Sequence, residues 1–277
     1  SISTKAVDRM STILISGMVI AFFLSTTGLL SSAKSEILLN TVAHTETSYL
    51  PYLFSAIPTC LVSFGYHICV PTLVNYYDKK SKKVIYSILI GSLLALIIYI
   101  SWQMAVQGNL PRGEFAPIIS KGGDVATLLS ALNRYIPVLS ISIVLDFFAY
   151  MAIASSFLGV TLGLFDYISD LFKWGNHLGG RIKTALVTFL PPLLLSLFYP
   201  YGFVTAIAYA GVAVSFSSIM ISALMVRSSR KKFPEATTYR TFGGTPLIYF
   251  IIIIGILNIA IQIGIQTGII PIFTGNK

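Results

Sequence analysis

The chain has 277 residues, of which 55% are hydrophobic and only 10% are charged, against about 25% charged in a soluble domain. A mean hydropathy of +0.81 excludes an ordinary soluble enzyme and points to an all-α polytopic protein of the lipid bilayer. The net charge of +9 does not signal nucleic acid, because the basic residues sit in short connections between apolar runs, as the positive-inside rule expects.

Seven helices are expected in chain order. The first runs from Met10 to Ser32 and is followed by a polar connection with Lys34, Glu36, His44 and Glu46. The second, Leu50 to Tyr76, is interrupted. After DKKSKK comes the third, Val84 to Val106, and then a long polar loop, Gln107 to Arg134, containing PRGEF and KGGD. The fourth, Pro137 to Phe172, exceeds one bilayer thickness and must tilt or protrude. The loop KWGNHLGGRIK leads to the fifth, Thr184 to Phe198. The sixth is Phe203 to Val226, the basic loop RSSRKKF follows, and the seventh is Pro246 to Ile269.

Charge sets the orientation. With the N-terminus inside, the inner segments hold Lys5, Arg9, Lys79, Lys80, Lys82, Lys83, Lys173, Arg181, Lys183, Arg227, Arg230, Lys231, Lys232 and Arg240. The outer segments hold only Lys34, Arg112, Lys121, Arg134 and Lys277. This bias places the N-terminus in the cytoplasm and the C-terminus outside.

The second helix organises the rest. Its stretch Tyr49 to Tyr77 carries Pro51, Pro58 and Pro71, with Ser63, Gly65 and His67 between the last two. Proline removes a backbone donor, and glycine tolerates the dihedrals of an unwound segment. A break near Ser63–His67 is expected, its freed backbone turned to a cavity, as in transporters that bind substrate at a discontinuous helix. A proline-kinked, packed helix is the alternative.

Asp146 is the acid that falls within a span, a candidate proton carrier; a position near the outer helix end would instead let it reach water. Ser155, Gly159 and Gly163 recur every four residues, a spacing that suits close helix packing. Ser155 and Ser156 could hold an ion or a substrate, and Tyr150 could face the same cavity. His67 sits beside the break, and an imidazole suits proton handling. Asn258, Gln262 and Gln266 form a stripe read as interhelical glue. Tyr99, Trp102 and Gln103 fit an interfacial aromatic belt. Cys60 and Cys69 lie in the interrupted span and suggest no disulfide framework or metal site. No cofactor or metal is expected, and HExxH, GxSxG and P-loop motifs are absent.

SFGYH (Ser63 to His67), ASSFLGVTLGLFDYISDLF (Ala154 to Phe172), TFLPP (Thr188 to Pro192), YPYGFVTAIAYAG (Tyr199 to Gly211) and YRTFGG (Tyr239 to Gly244) together resemble the bacterial aromatic amino acid permeases. QGNLPRGEFAPII and YMAIASSF are most similar to the low-affinity tryptophan permease branch. The resemblance implies proton-coupled uptake of tryptophan or tyrosine across the bacterial inner membrane, and no enzyme activity. It implies an eleven-helix inverted-repeat fold related to the neurotransmitter:sodium symporters. The seven spans here would be its helices five to eleven within one transporter domain over 1–277, with 50–226 as the second five-helix repeat and the N-terminal helices of the same permease as a missing partner. It also implies that Ser63, Phe64, Gly65, Tyr66 and His67 line the substrate pocket, with Tyr150, Ser155 and Ser156 facing it. An acid at Asp146 is not a feature of the resemblance. A carrier of another amino acid, a transport-incompetent fragment and a membrane sensor are the alternatives.

Overall fold

The computed structural model describes residues 2–41, 49–136, 139–175, 177–234, 240 and 242–273. His44, Glu46, Pro137 and Tyr239 fall outside them. The helices are α1 (Ile2–Ser32), α2 (Ser35–Leu38), α3 (Leu53–Ser63), α4 (Val70–Tyr76), α5 (Ser81–Asn109), α6 (Phe115–Ser120), α7 (Val125–Tyr135), α8 (Leu139–Leu171), α9 (Leu178–Phe198), α10 (Phe203–Val214), α11 (Ser222–Lys232) and α12 (Gly244–Gln266). A wide π turn, Ser215–Ile221, joins α10 to α11. Among the described residues six helices are long and apolar enough to cross a membrane: α1, α5, α8, α9, α10–α11 taken together, and α12. The expected second crossing is two short helices, α3 and α4, separated at Ser63–His67.

Three expected loops are largely helical. The stretch Gln107–Arg134 folds into α6 and most of α7 instead of a polar loop. Asp124 caps α7, its carboxylate accepting from the Thr127 amide at 2.9 Å and the Thr127 hydroxyl at 2.8 Å. These bonds, the hydroxyl first, hold the Asp124 carboxyl below its ordinary range. Arg112 of PRGEF donates to the Gln107 side chain and the Leu38 carbonyl, both at 3.0 Å. The Tyr135 hydroxyl donates to Glu114 at 3.0 Å, which raises its pKa. In the second stretch, α9 begins at Leu178, so most of HLGGRIK is helical. In the third, α11 continues through Lys232, where cations at a helix C-terminus complement the macrodipole.

The chain divides into two units, Ser1–His44 with Ser101–Phe203, and Thr45–Ile100 with Val204–Lys277. In the first, α1 packs along α8, which also carries α7 and α9. Leu29, Val106, Leu110, Leu132 and Leu145 form its core. Trp102 makes tilted ring contacts with Phe22 and Phe148, centroids 6.4 and 5.4 Å away, and so borders this core instead of serving only an interfacial belt. Asn109 Nδ2 donates to the Leu29 carbonyl at 2.8 Å, tying α5 to α1. Gly159 and Gly163 do not pack against another helix as expected: among the described residues a Cβ at either would meet nothing within 4 Å.

In the second unit, α12 packs on α3, the π turn and α11. Gly255 admits the π turn; a Cβ there would lie 2.9 Å from Met220 Cγ and 3.2 Å from Ile219 Cγ2. One turn on, buried Asn258 donates to Ser215 Oγ at 2.6 Å, and Ser215 donates to the Gly211 carbonyl at 2.8 Å. Asn258 Oδ1 has no hydrogen-bond partner among the described residues. The polar stripe on α12 is thus interhelical glue at Asn258, as expected.

Candidate functional site

The break is built by local sequence. Pro58 is accommodated inside α3. Phe64 then leaves helical geometry at φ −102° and ψ 23°. The Gly65 amide turns back to the Val62 carbonyl at 3.0 Å, and Tyr66 to Phe64 at 2.9 Å. A single 3-10 turn, His67–Cys69, reopens the helix, and Pro71 sits in the first turn of α4, where a missing N–H has no helical acceptor to lose. The His67 amide reaches no backbone acceptor among the described residues. Gly65 is required by space: a Cβ would lie 2.9 Å from the Val62 carbonyl oxygen.

The exposed end of α3 has a partner from α5. The Tyr99 hydroxyl donates to the Ser63 carbonyl at 2.8 Å, and its ring meets Phe64 edge-on at 5.4 Å. Tyr99 therefore belongs to the break and not merely to an aromatic belt. Sequence reading missed it because an aromatic near a helix end has the same signature in either role.

Two cavities flank the break. One, of about 450 Å³, lies toward α5 and is lined by Ser63, Phe64, Gly65, Tyr66, Cys69, Ser87, Gly91 and Ser92. The other, of about 550 Å³, lies toward the π turn and is lined by Phe64, Gly65, Tyr66, His67, Val214, Ser218 and Ser222. The structure thus brings Ser63 to His67 together around hollow space, as the sequence led us to expect. An apolar cavity with a few convergent polar groups is the usual form of a small-molecule site.

The remaining candidates lie on α8, in the other unit. Tyr150 is exposed and Asp146 half-buried, and Asp146 makes no hydrogen bond or ion pair with another described residue. Ser155 Oγ donates to the Ala152 carbonyl at 3.1 Å and lies 3.6 Å from Met18 Sδ. Ser156 lines an apolar cavity of about 610 Å³ between α8 and α9, beside Phe157, Phe189 and Thr188. Among the described residues no group of three His, Cys, Asp or Glu could hold a metal ion. Cys60 and Cys69 are both free and exposed.

The profile of the tryptophan/tyrosine permease family matches residues 1–262. A tryptophan-specific transport protein of Haemophilus influenzae is 62% identical over 99% of this chain and 65% of its own length. A low affinity tryptophan permease of Escherichia coli K12 is 40% identical over 98% of this chain and 66% of its own. A tyrosine permease of Enterobacter agglomerans is 40% identical over 91% of this chain and 61% of its own. The chain therefore spans 65% of the Haemophilus relative, just under two thirds. No solved structure matches. With six helices fit to cross a membrane and a family match over nearly its whole length, this chain is a multi-pass membrane protein and belongs to the tryptophan/tyrosine permease family, a family of transport proteins and not of enzymes.

Proposed function

We propose that the chain is part of a proton-driven carrier that brings aromatic amino acids, tryptophan before tyrosine, across the bacterial inner membrane. The observation that carries this reading is the interruption of an apolar helix at Ser63–His67 with hollow space on two sides. An interrupted helix in a membrane presents backbone groups that a zwitterion can use. Phe64 and Tyr66 supply rings that can pack an indole. The relatives support the substrate class, since two of those cited above are tryptophan transporters.

In this reading Ser63, Phe64, Gly65, Tyr66 and His67 line the substrate site. His67 and Asp146 handle the coupling proton. The substrate roles of Tyr150, Ser155 and Ser156 rest on the family resemblance, as do the eleven-helix inverted-repeat fold and residues 50–226 as its second repeat. The interrupted helix, second in chain order, brings the six long helices to seven crossings, with the N-terminus cytoplasmic and the C-terminus periplasmic. The part of the relatives that this chain does not span completes the carrier.

Uptake of labelled tryptophan into cells tests the reading. Uptake should be abolished by a protonophore and by Gly65→Leu, and tyrosine should compete less well than tryptophan. Uptake unchanged by Gly65→Leu rejects the site. Persistence under the protonophore rejects proton coupling. Binding without flux favours a sensor.

A further inference from the structure

The two cavities beside the break differ in one respect that bears on how an amino acid would lie there. On the α5 side, two of the three serine hydroxyls are already engaged as donors and only that of Ser92 is not: Ser63 Oγ donates to the Thr59 carbonyl at 2.9 Å, and Ser87 Oγ donates to Tyr77 Oη at 3.0 Å. On the π-turn side the polar groups are unspent. The side chains of His67 and Ser222 make no hydrogen bond with another described residue. Ser218 Oγ has only the Ser217 hydroxyl at 3.4 Å, a weak contact. All three line one cavity, and Phe64 and Tyr66 line it with them.

The π turn gives this wall a fixed position. Such turns are rare inside helices and are frequent at functional sites. Here α12 holds the turn at two points, through the Asn258–Ser215 bond and through the close fit of Ile219 and Met220 over Gly255. Ser215 is thereby committed to α12, while Ser218 and Ser222 line the cavity beside the break.

We propose that the π turn is a wall of the substrate site, with Ser218, Ser222 and His67 anchoring the polar end of an aromatic amino acid in the cavity on that side. The inference rests on the carrier reading above and adds residues that the family resemblance did not supply. A zwitterion leaving water needs hydrogen-bond partners at its charged end, and this cavity gathers three uncommitted side chains where the α5 side offers one serine. The ring then lies against Phe64 and Tyr66, in the slot those side chains share with the α5 side.

Cysteine protection tests the proposal in membranes carrying the full chain. Two single-thiol forms are compared. Cys60→Ser leaves native Cys69 to report on the α5-side cavity. Cys60→Ser, Cys69→Ser, Val214→Cys reports on the π-turn side. L-tryptophan should slow maleimide labelling of the Val214→Cys form. Adding Ser218→Ala and Ser222→Ala should raise the L-tryptophan concentration for half-protection about tenfold, the scale of lost hydrogen bonds to a charged group. The indole concentration for half-protection should stay unchanged, because indole lacks the polar end. Protection of Cys69 alone would overturn the proposal and leave the carrier reading standing. Protection at neither position would overturn both. An equal shift for indole and tryptophan would make the serines merely structural and overturn the proposal.

Discussion

The Tyr99 hydroxyl donates to the Ser63 carbonyl at 2.8 Å, so the last open turn of α3 is capped by a side chain from α5. A helix end leaves its final carbonyls without partners, and in a lipid surrounding each must find one. Tyr99→Phe keeps the edge-on contact with Phe64 and removes only this bond. It should cost about 1 kcal/mol of local stability. Hydrogen exchange over residues 61–67 should accelerate several-fold while α12 is unaffected; unchanged exchange would show that the bond does not hold the break.

Gly65→Ala should be nearly as damaging as a larger residue. The obstacle is the Val62 carbonyl oxygen 2.9 Å from the added Cβ, and backbone cannot rotate aside as a side chain can. The Gly65–Val62 turn would open. Tryptophan uptake should fall by about tenfold or more, consistent with a lost turn and a displaced site at roughly 1.4 kcal/mol per decade. Wild-type uptake by Gly65→Ala would show that the tight turn is dispensable.

The pair Asn258 and Ser215 should behave as one unit. Ser215→Ala strands the buried Asn258 amide donor, which costs about 1–3 kcal/mol, whereas Asn258→Ala leaves Ser215 donating to the Gly211 carbonyl and should cost less. The double variant should cost less than the sum, with a coupling energy of about 1 kcal/mol in thermal unfolding. Additive losses would mean the 2.6 Å bond contributes little.

Asp124→Ala should loosen α7 by about 1 kcal/mol, the usual worth of an N-cap, seen as faster proteolysis between residues 120 and 136. The cap is also pH-dependent. Its carboxyl titrates lower in the folded chain than its ordinary value, so the stabilisation is present above that ordinary value. It is lost as pH falls through the folded value. Asp124→Asn should cap at acid pH without this loss.

Glycines on α8 and α5 should respond in opposite directions. Gly159→Ala and Gly163→Ala meet open space and should stabilise this chain by about 0.5–1 kcal/mol through helix propensity. Gly108→Ala would place its Cβ 2.7 Å from Ala33 Cβ and should lower the unfolding temperature. Destabilisation by Gly159→Ala would reveal a neighbour for that face.

Which features could be read from the residues follows from what each signal encodes. The break was legible because Gly65 and Pro71 act on the backbone directly, although Pro58 is accommodated inside α3. The long apolar helices were legible by length. The helices α6 and α7 were missed because charge around PRGEF and KGGD resembles a loop, while the evidence for structure is the Asp124 cap and an amphipathic run after it. Tyr99, Ser218 and Ser222 escaped because their role depends on which helix packs beside them, which no spacing along one helix reveals. The glycines of α8 were read as packing residues, yet their spacing carries no information about whether a partner is present.

Cys60 and Cys69 stand on opposite sides of the interruption, one within α3 and the other at the head of α4, and both are free and exposed. The chain thus carries its own pair of attachment points for nitroxide labels, one on each half-helix. A dipolar distance between them, taken with and without tryptophan, would report the angle between the two half-helices, with no substitution introduced into the interrupted segment.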